Sequence, residues 1–229
     1  MNLAIIPARG GSKRIQKKNI KLFHGKPIIS YSILTAISSG LFERVIVSSD
    51  DDHIIDVSKK YGAEVLSKRS KELSDDFTPI NEVIRDVLSE LGKDADKYKN
   101  ICCIYACSPF ITSDDLKDSL NLMSESLALS CIPVAEFNSS PQRAFKIEEG
   151  NRLKWAYPEF RLARTQDLEK NYYDIGAFAW ASKEKWNTGD ISDGVAYKVP
   201  NNTYIDIDTL EDWEKAELLY KISLNPNKI

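Results

Sequence analysis

Short apolar runs alternate with longer amphipathic segments along the first 135 residues of the chain. Residues 3–6, 44–47, 64–66, 101–105 and 127–134 have the length and the Ile, Val, Leu, Ala and Cys content of buried strands. Between them the apolar positions fall three and four apart. In residues 27–38, Ile28, Ile29, Ile33, Leu34 and Ile37 share one helical face. Ahead of Val83, Val87 and Leu88, the order Thr78, Pro79, Glu82 supplies an N-cap, a proline at the first helical position and an early acid. Thr112 followed by Asp115 has capping-box spacing and opens another helix. Strands that alternate with helices join through βαβ crossovers, so the pattern predicts an α/β fold, a three-layer α/β/α sandwich on a mostly parallel sheet. Ligands of such sheets collect beyond the carboxyl ends of the strands.

The rhythm fails over residues 136–173. That stretch is too long for an ordinary connection and, with Phe137, Phe145, Trp155, Tyr157, Phe160, Tyr172 and Tyr173, too aromatic for a solvated one. It predicts an ordered excursion with a hairpin over 143–157 turning on Glu149, Gly150 and Asn151. The rings need cover, which a partner subunit can supply. Beyond the excursion, 176–180 and 196–199 return to strand-like content, 202–208 reads as a further strand and 209–222 as a closing helix, and 225–229 is expected to be disordered. Residues 1–229 are therefore expected to form a single domain carrying 136–173 as an insertion.

Composition narrows the class. A 42% hydrophobic content over 229 residues suffices for one well-buried core. The run at 3–6 is followed at once by Pro7 and Arg9, too early for a signal peptide, and no run reaches membrane-spanning length. A soluble cytoplasmic protein without a membrane partner is expected. Cys102, Cys103, Cys107 and Cys131 form no CxxC pair and the chain has only two histidines, so buried thiols in a reducing compartment are expected rather than a zinc site. Charge, by contrast, is distributed unevenly. Arg9, Lys13, Arg14, Lys17, Lys18, Lys21 and Lys26 precede the first acidic residue, Glu43, in a chain of net charge -3. The basic run is short and glycine-rich rather than a stripe along a helix, which points away from nucleic acid and toward a small polyanion.

The chemistry is concentrated in two places. Directly after the first strand, ARGGSK puts Gly10 and Gly11 where backbone N–H groups can approach a phosphate, with Arg9 and Lys13 for charge and Lys17, Lys18 and Asn19 closing the other side. The spacing is neither GxxxxGK nor GxGxxG, so the phosphates are held on some other plan. Far along the chain, YIDID places Asp206 and Asp208 two apart on a predicted strand, facing the same way while Ile205 and Ile207 pack behind. Two convergent carboxylates suit Mg²⁺, which is usually held by one or two carboxylates plus substrate phosphates. Helix capping competes for the same residues, because Asp208 with Glu211 and Thr209 with Asp212 both have N-cap spacing; Asp206 lies too early to cap. Capping also accounts for Asp50, Asp51 and Asp52 after the second strand. Arg69 is a surface cation or a reader of base or phosphate, Tyr105 a core or a site residue. His24 and His53 fall in a turn and a helix start, so neither stands out as a general base.

Taken together, IPARGGSKRIQKKNIK, VSSDDDHI, the CSPF turn at 107–110 and YIDID resemble the cytidylyltransferases that activate acidic α-keto sugars, the CMP-sialic acid synthetase family. The stretches QRAFKI (142–147) and RTQDLEKNYYDIGAFAW (164–180) look more like the pseudaminic acid branch. The sialic acid branch has a glutamine where Tyr105 stands and Asn-Gly-Ala where this chain has Ile175-Gly176-Ala177. The resemblance implies a Rossmann-like nucleotide-diphosphosugar transferase fold and a homodimer in which the excursion reaches the neighbouring subunit and its sugar site. It also implies a Mg²⁺-dependent reaction of CTP with a nine-carbon keto-sugar acid. Arg9, Gly10, Gly11, Ser12, Lys13, Lys18 and Asn19 would hold the triphosphate, and the Ala8 backbone and Arg69 would read the cytosine side. Asp206 and Asp208 would hold the metal, with Tyr105, Arg143, Arg164, Gln166 and Asp174 on the sugar side. The alternatives are another sugar acid with the same chemistry, such as sialic, legionaminic or 3-deoxy-manno-octulosonic acid, and a non-catalytic CTP-binding protein. A hexose-1-phosphate nucleotidyltransferase is disfavoured, since the loop lacks Gly-x-Gly-Thr-Arg.

Overall fold

The computed structural model describes residues 1–224. In chain order its elements are β1 (Asn2–Pro7), β2 (Leu22–Phe23), β3 (Lys26–Pro27), α1 (Ile29–Ser38), β4 (Arg44–Ser48), α2 (Asp52–Lys60), α3 (Ile80–Leu91), β5 (Asn100–Ile104), α4 (Ser113–Glu125), β6 (Ser130–Glu136), β7 (Phe145–Glu148), β8 (Arg152–Trp155), β9 (Tyr172–Asp174), β10 (Phe178–Ser182), α5 (Lys183–Thr188), β11 (Val195–Lys198) and α6 (Leu210–Leu224). The main sheet runs β11-β6-β10-β5-β1-β4, with β9 paired to β6. Strands β4, β1, β5, β6 and β11 share one direction, and β10 and β9 run against them.

Alternation along the strands makes the two cores. Ala4, Ile6, Val45, Val47, Cys102 and Ile104 point to one face, where Ile29 and Ile33 of α1, Ile54 of α2 and Leu116 and Met123 of α4 cover them. Leu3, Ile5, Ile46, Ile101 and Cys103 point to the other, under Ile84, Val87 and Leu88 of α3 and Trp186 of α5. Both faces are covered, which is why the strands read as continuous apolar runs rather than as alternating ones. A third cluster joins Ile15, Phe23 and Ile28 to Ile207 and to Trp213 and Ala216 of α6. It draws the last helix back against the loop that follows β1.

Several sequence expectations shift. Residues 64–66 form no strand: Glu64 makes one bridge to Ile46 before the chain leaves the sheet edge. The strand expected at 127–134 begins only at Ser130, because Leu127 turns the chain out of α4 with φ 52°. Pro79 stands at the N-cap position of α3 without a side-chain capping bond, and Thr78 donates its hydroxyl to Asp75 Oδ1 (2.7 Å). Residues 202–208 pair with no strand; Asn202 adopts φ 63° and the chain peels away from the edge strand β11 to bury Ile207 under α6. The hairpin turning on 149–151 is present as β7–β8. The expectation for 225–229 lies outside the described residues. Among the described residues, no helix is long and apolar enough to cross a membrane.

Candidate active site

Strand β1 delivers the basic loop to the carboxyl edge of the sheet, and the loop is fastened there through its backbone. The Ala8 N–H donates to the Ser48 carbonyl (2.9 Å), Gly10 N–H to Asp50 Oδ1 (2.9 Å) and Ser12 N–H to the Gly10 carbonyl (2.9 Å). Glycine is required at position 10 because an added Cβ would stand 2.8 Å from Asp51 Cβ. The Gly10 N–H, expected to face phosphate, is thus taken up by Asp50, and the Ala8 N–H by the Ser48 carbonyl. Asn19 is buried and ties the two ends of the loop, its Nδ2 donating to the Arg9 carbonyl (2.8 Å) while the Cys107 thiol donates to its Oδ1 (3.2 Å). Burial pushes that thiol up to about 12, so it stays protonated.

The cationic side chains face a cavity of about 380 Å³ lined by Arg9, Ser12, Lys13, Arg14, Lys18, Asn19, Tyr105, Cys107, Gly176, Asp206 and Asp208, among others. Its volume falls within the roughly 300–1,000 Å³ of small-molecule sites. Across it, Lys18 Nζ donates to the Ile207 carbonyl (2.7 Å) and to Asp208 Oδ1 (3.3 Å), and Arg14 pairs with Asp208 Oδ2 (2.9 Å). Capping does not explain Asp208. The cap of α6 is a Thr209–Asp212 box, in which Asp212 Oδ2 accepts from the Thr209 N–H (2.8 Å) and the Asp212 N–H donates to Thr209 Oγ1 (3.2 Å). Nor does capping account for all of Asp50 to Asp52: Asp51 caps α2, Asp50 holds Gly10 and Asp52 pairs with Lys68.

Asp206 and Asp208 converge although their segment is not a strand. Ile207 buries between them, and the Tyr204 hydroxyl anchors the segment to Asp115 Oδ2 (2.6 Å). Among the described residues Asp206 has no hydrogen-bond or ion-pair partner. Burial, followed by the charge of Asp208, raises its carboxyl above the usual carboxylate range. Gly176, at φ 65°, lets the chain pass where a Cβ would meet that carboxylate at 3.1 Å. An unpaired carboxylate beside a second one suits a hard cation that also takes oxygens from a phosphate. The two carboxylates are of the donor type that Mg²⁺ takes and would supply part of such a site; no protein cluster of three or more ligands gathers among the described residues.

The remaining candidates are spread more widely. Arg69 is buried beneath the site, its Nε donating to Ser74 Oγ (3.0 Å) and its Nη2 lying 3.9 Å from Asp50; burial lowers its pKa. It braces the loops instead of lining the cavity. Gly11 stands outside the lining as well. Asp174, at the end of β9, accepts the Gly176 N–H (2.8 Å), and burial raises its carboxyl. Arg143 stacks over Trp155 (4.7 Å) and donates to the Phe160, Arg161 and Ala163 carbonyls; Arg164 pairs with Asp167 (2.7 Å); Gln166 is exposed. These three sit on the excursion, apart from the cavity of their own chain. Sequence reasoning missed Arg14, Asp50, Asp75 and Asp76. The adjacent acids of SDDF, so close after Arg69, were the available signal.

A cationic loop thus faces paired carboxylates at the carboxyl edge of a mostly parallel sheet, and the comparisons with known proteins give the class as nucleotidyltransferase. The family profile described as cytidylyltransferase matches residues 3–145, and the chain belongs to that family. A pseudaminic acid cytidylyltransferase of Campylobacter jejuni subsp. jejuni is 40% identical over 97% of this chain and 97% of its own. A CMP-N,N'-diacetyllegionaminic acid synthase of Legionella pneumophila is 29% identical over 96% of this chain and 97% of its own. Among solved structures, a CMP:2-keto-3-deoxy-manno-octonic acid synthetase complexed with CTP shares the fold at TM-score 0.71 and 15% identity, covering 97% of this chain and 99% of that one.

Proposed function

We propose that this protein transfers CMP from CTP to the anomeric hydroxyl of a nine-carbon keto-sugar acid, pseudaminic acid first, and releases pyrophosphate. The observation that carries the proposal is one cavity in which Arg9, Lys13 and Lys18 meet Asp206 and Asp208. The hydroxyl oxygen attacks the α-phosphorus, the bond to the β-phosphate oxygen breaks, and the hydroxyl proton passes to water. Arg9 and Lys13 take the charge that builds on the departing pyrophosphate, and Lys18, which pairs with Asp208 across the cavity, adds a third cation. Asp206 and Asp208 would hold Mg²⁺, which when bound would supply Lewis-acid neutralisation of phosphate charge. The full-length similarity at 40% identity favours pseudaminic acid over legionaminic or sialic acid. The test is competition: with CTP and equal concentrations of pseudaminic, N-acetylneuraminic and legionaminic acids, CMP-pseudaminate is the dominant product by mass spectrometry. A dominant CMP-legionaminate or CMP-neuraminate would move the sugar and keep the chemistry.

A homodimer is part of the same proposal. On the β7–β8 hairpin the cross-strand pairs Phe145–Trp155 and Ile147–Leu153 lie on one face, with Ile147 73% and Leu153 68% exposed. A second subunit covering this face also brings Arg143, Arg164 and Gln166 to a neighbouring cavity. The double variant Ile147→Asp, Leu153→Asp is expected to run at half the wild-type mass by light scattering and to lose sugar binding. A wild-type mass for the variant would remove the hairpin from the interface.

A further inference from the structure

Two of the four cations that face the cavity from the first loop, Arg9 and Lys13, converge on a carboxylate to which no role is assigned. Arg9 Nη1 pairs with Asp76 Oδ1 (2.7 Å) and donates to the Asp75 carbonyl (2.6 Å), while Lys13 pairs with Asp76 Oδ2. An acid beside a phosphate site would ordinarily be read as an obstacle, a stand-in anion that the substrate must displace. The construction of its loop argues otherwise. Asp75 Oδ1 accepts from the Phe77 N–H (2.9 Å), the Thr78 N–H (2.7 Å) and the Thr78 hydroxyl (2.7 Å), so the backbone that presents Asp76 is held in a closed turn. Ser74 Oγ donates to the Ser70 carbonyl (2.7 Å) and accepts from buried Arg69, whose other end lies by Asp50, the residue that holds Gly10. The acidic turn and the basic loop are thus braced from below through one buried arginine.

Such a carboxylate has one steric option and one electrostatic effect. Its two oxygens span two like charges and cancel their repulsion, in side chains that are otherwise free to swing: Lys13 is 79% exposed and Arg9 37%. Only Nη1 of Arg9 is engaged, which leaves the rest of the guanidinium fork for a phosphate. We infer that Asp76 is a positioning residue, one that holds Arg9 and Lys13 together and aims them at the triphosphate of the nucleotide substrate. The inference rests on the proposed nucleotide site. Since removing a nearby negative charge by itself strengthens anion binding, the two roles predict opposite signs.

The test is CTP affinity by titration calorimetry on wild type, Asp76→Asn and Asp76→Ala, with KM for CTP and for the sugar acid measured separately. Asp76→Ala is expected to bind CTP about tenfold more weakly, a loss of about 1.4 kcal/mol. Asp76→Asn, whose amide oxygen still accepts from one cation, should fall between. KM for the sugar acid and the melting temperature stay at wild-type values, which a merely structural role would not allow. Equal or tighter CTP binding by Asp76→Ala, or a sugar KM that rises in step, would overturn the inference. Failure of the wild type to bind CTP would instead overturn the nucleotide site on which it rests.

Discussion

Arg9→Ala is expected to lower kcat by roughly 100-fold to 1,000-fold, the range seen when a single preorganised donor is removed from a site where charge develops. The residue follows β1 directly, its carbonyl is fixed by Asn19 Nδ2 (2.8 Å), and its guanidinium is pinned at one corner by Asp76 and the Asp75 carbonyl. Little reorganisation is left when a triphosphate arrives, and preorganised charge of this kind separates an enzyme site from a flexible cation in water. Arg9→Lys keeps the charge but loses the planar fork, so it should recover only part of the rate. Steady-state pyrophosphate release at saturating substrates measures both. Turnover near wild type in Arg9→Ala would remove Arg9 from the chemistry.

Asp208→Asn is the second large effect, again roughly 100-fold to 1,000-fold in kcat by the same reasoning about charged groups at the reacting centre. Asparagine keeps the size of the side chain and can still accept from Lys18, so packing around Ile207 is preserved. What it removes is the negative charge that Arg14 and Lys18 now neutralise from two sides at 2.9 Å and 3.3 Å. On the proposed mechanism Asp208 would, together with Asp206, hold Mg²⁺ through that charge. The concentration of Mg²⁺ giving half-maximal rate should rise well above that of wild type, and direct Mg²⁺ titration in the presence of CTP should weaken with it. An unchanged Mg²⁺ requirement would show that Asp208 holds no metal.

Which features were legible in the sequence follows from how local their causes are. Strands β1, β4 and β5 and helices α1 and α3 were readable because their apolar runs and periodic faces lie within a few neighbouring residues. The Thr112–Asp115 capping box was likewise legible from spacing alone and is present, with the Asp115 N–H donating to Thr112 Oγ1 (3.1 Å). The 202–208 segment was not: Ile205 and Ile207 alternate with Asp206 and Asp208 as a strand would, yet the segment pairs with no strand and the apolar pair packs against the cluster of Phe23 and Trp213 instead. Alternation alone fixed the facing of the two carboxylates without fixing the ladder.

The site shows the same division. Cations at the end of the first strand announce themselves by charge, whereas the acids that orient them are distant in the chain and resemble ordinary caps. Asp50 sits in a run of three acids of which only Asp51 caps, and Asp76 lies in a turn whose partner, Arg9, is 66 or more positions away. The commitment of the Gly10 N–H to Asp50 depends on the approach of α2 to the loop, a packing distance that no local motif encodes.

The central claim is that this cavity joins CTP to a keto-sugar acid, and the most direct measurement is pyrophosphate release from CTP and pseudaminic acid with Mg²⁺, repeated without the acid and with EDTA. The account predicts release that requires both substrates and stops on chelation. CTP binding without any acid-dependent release, whether pseudaminic, legionaminic or N-acetylneuraminic acid is supplied, would contradict it.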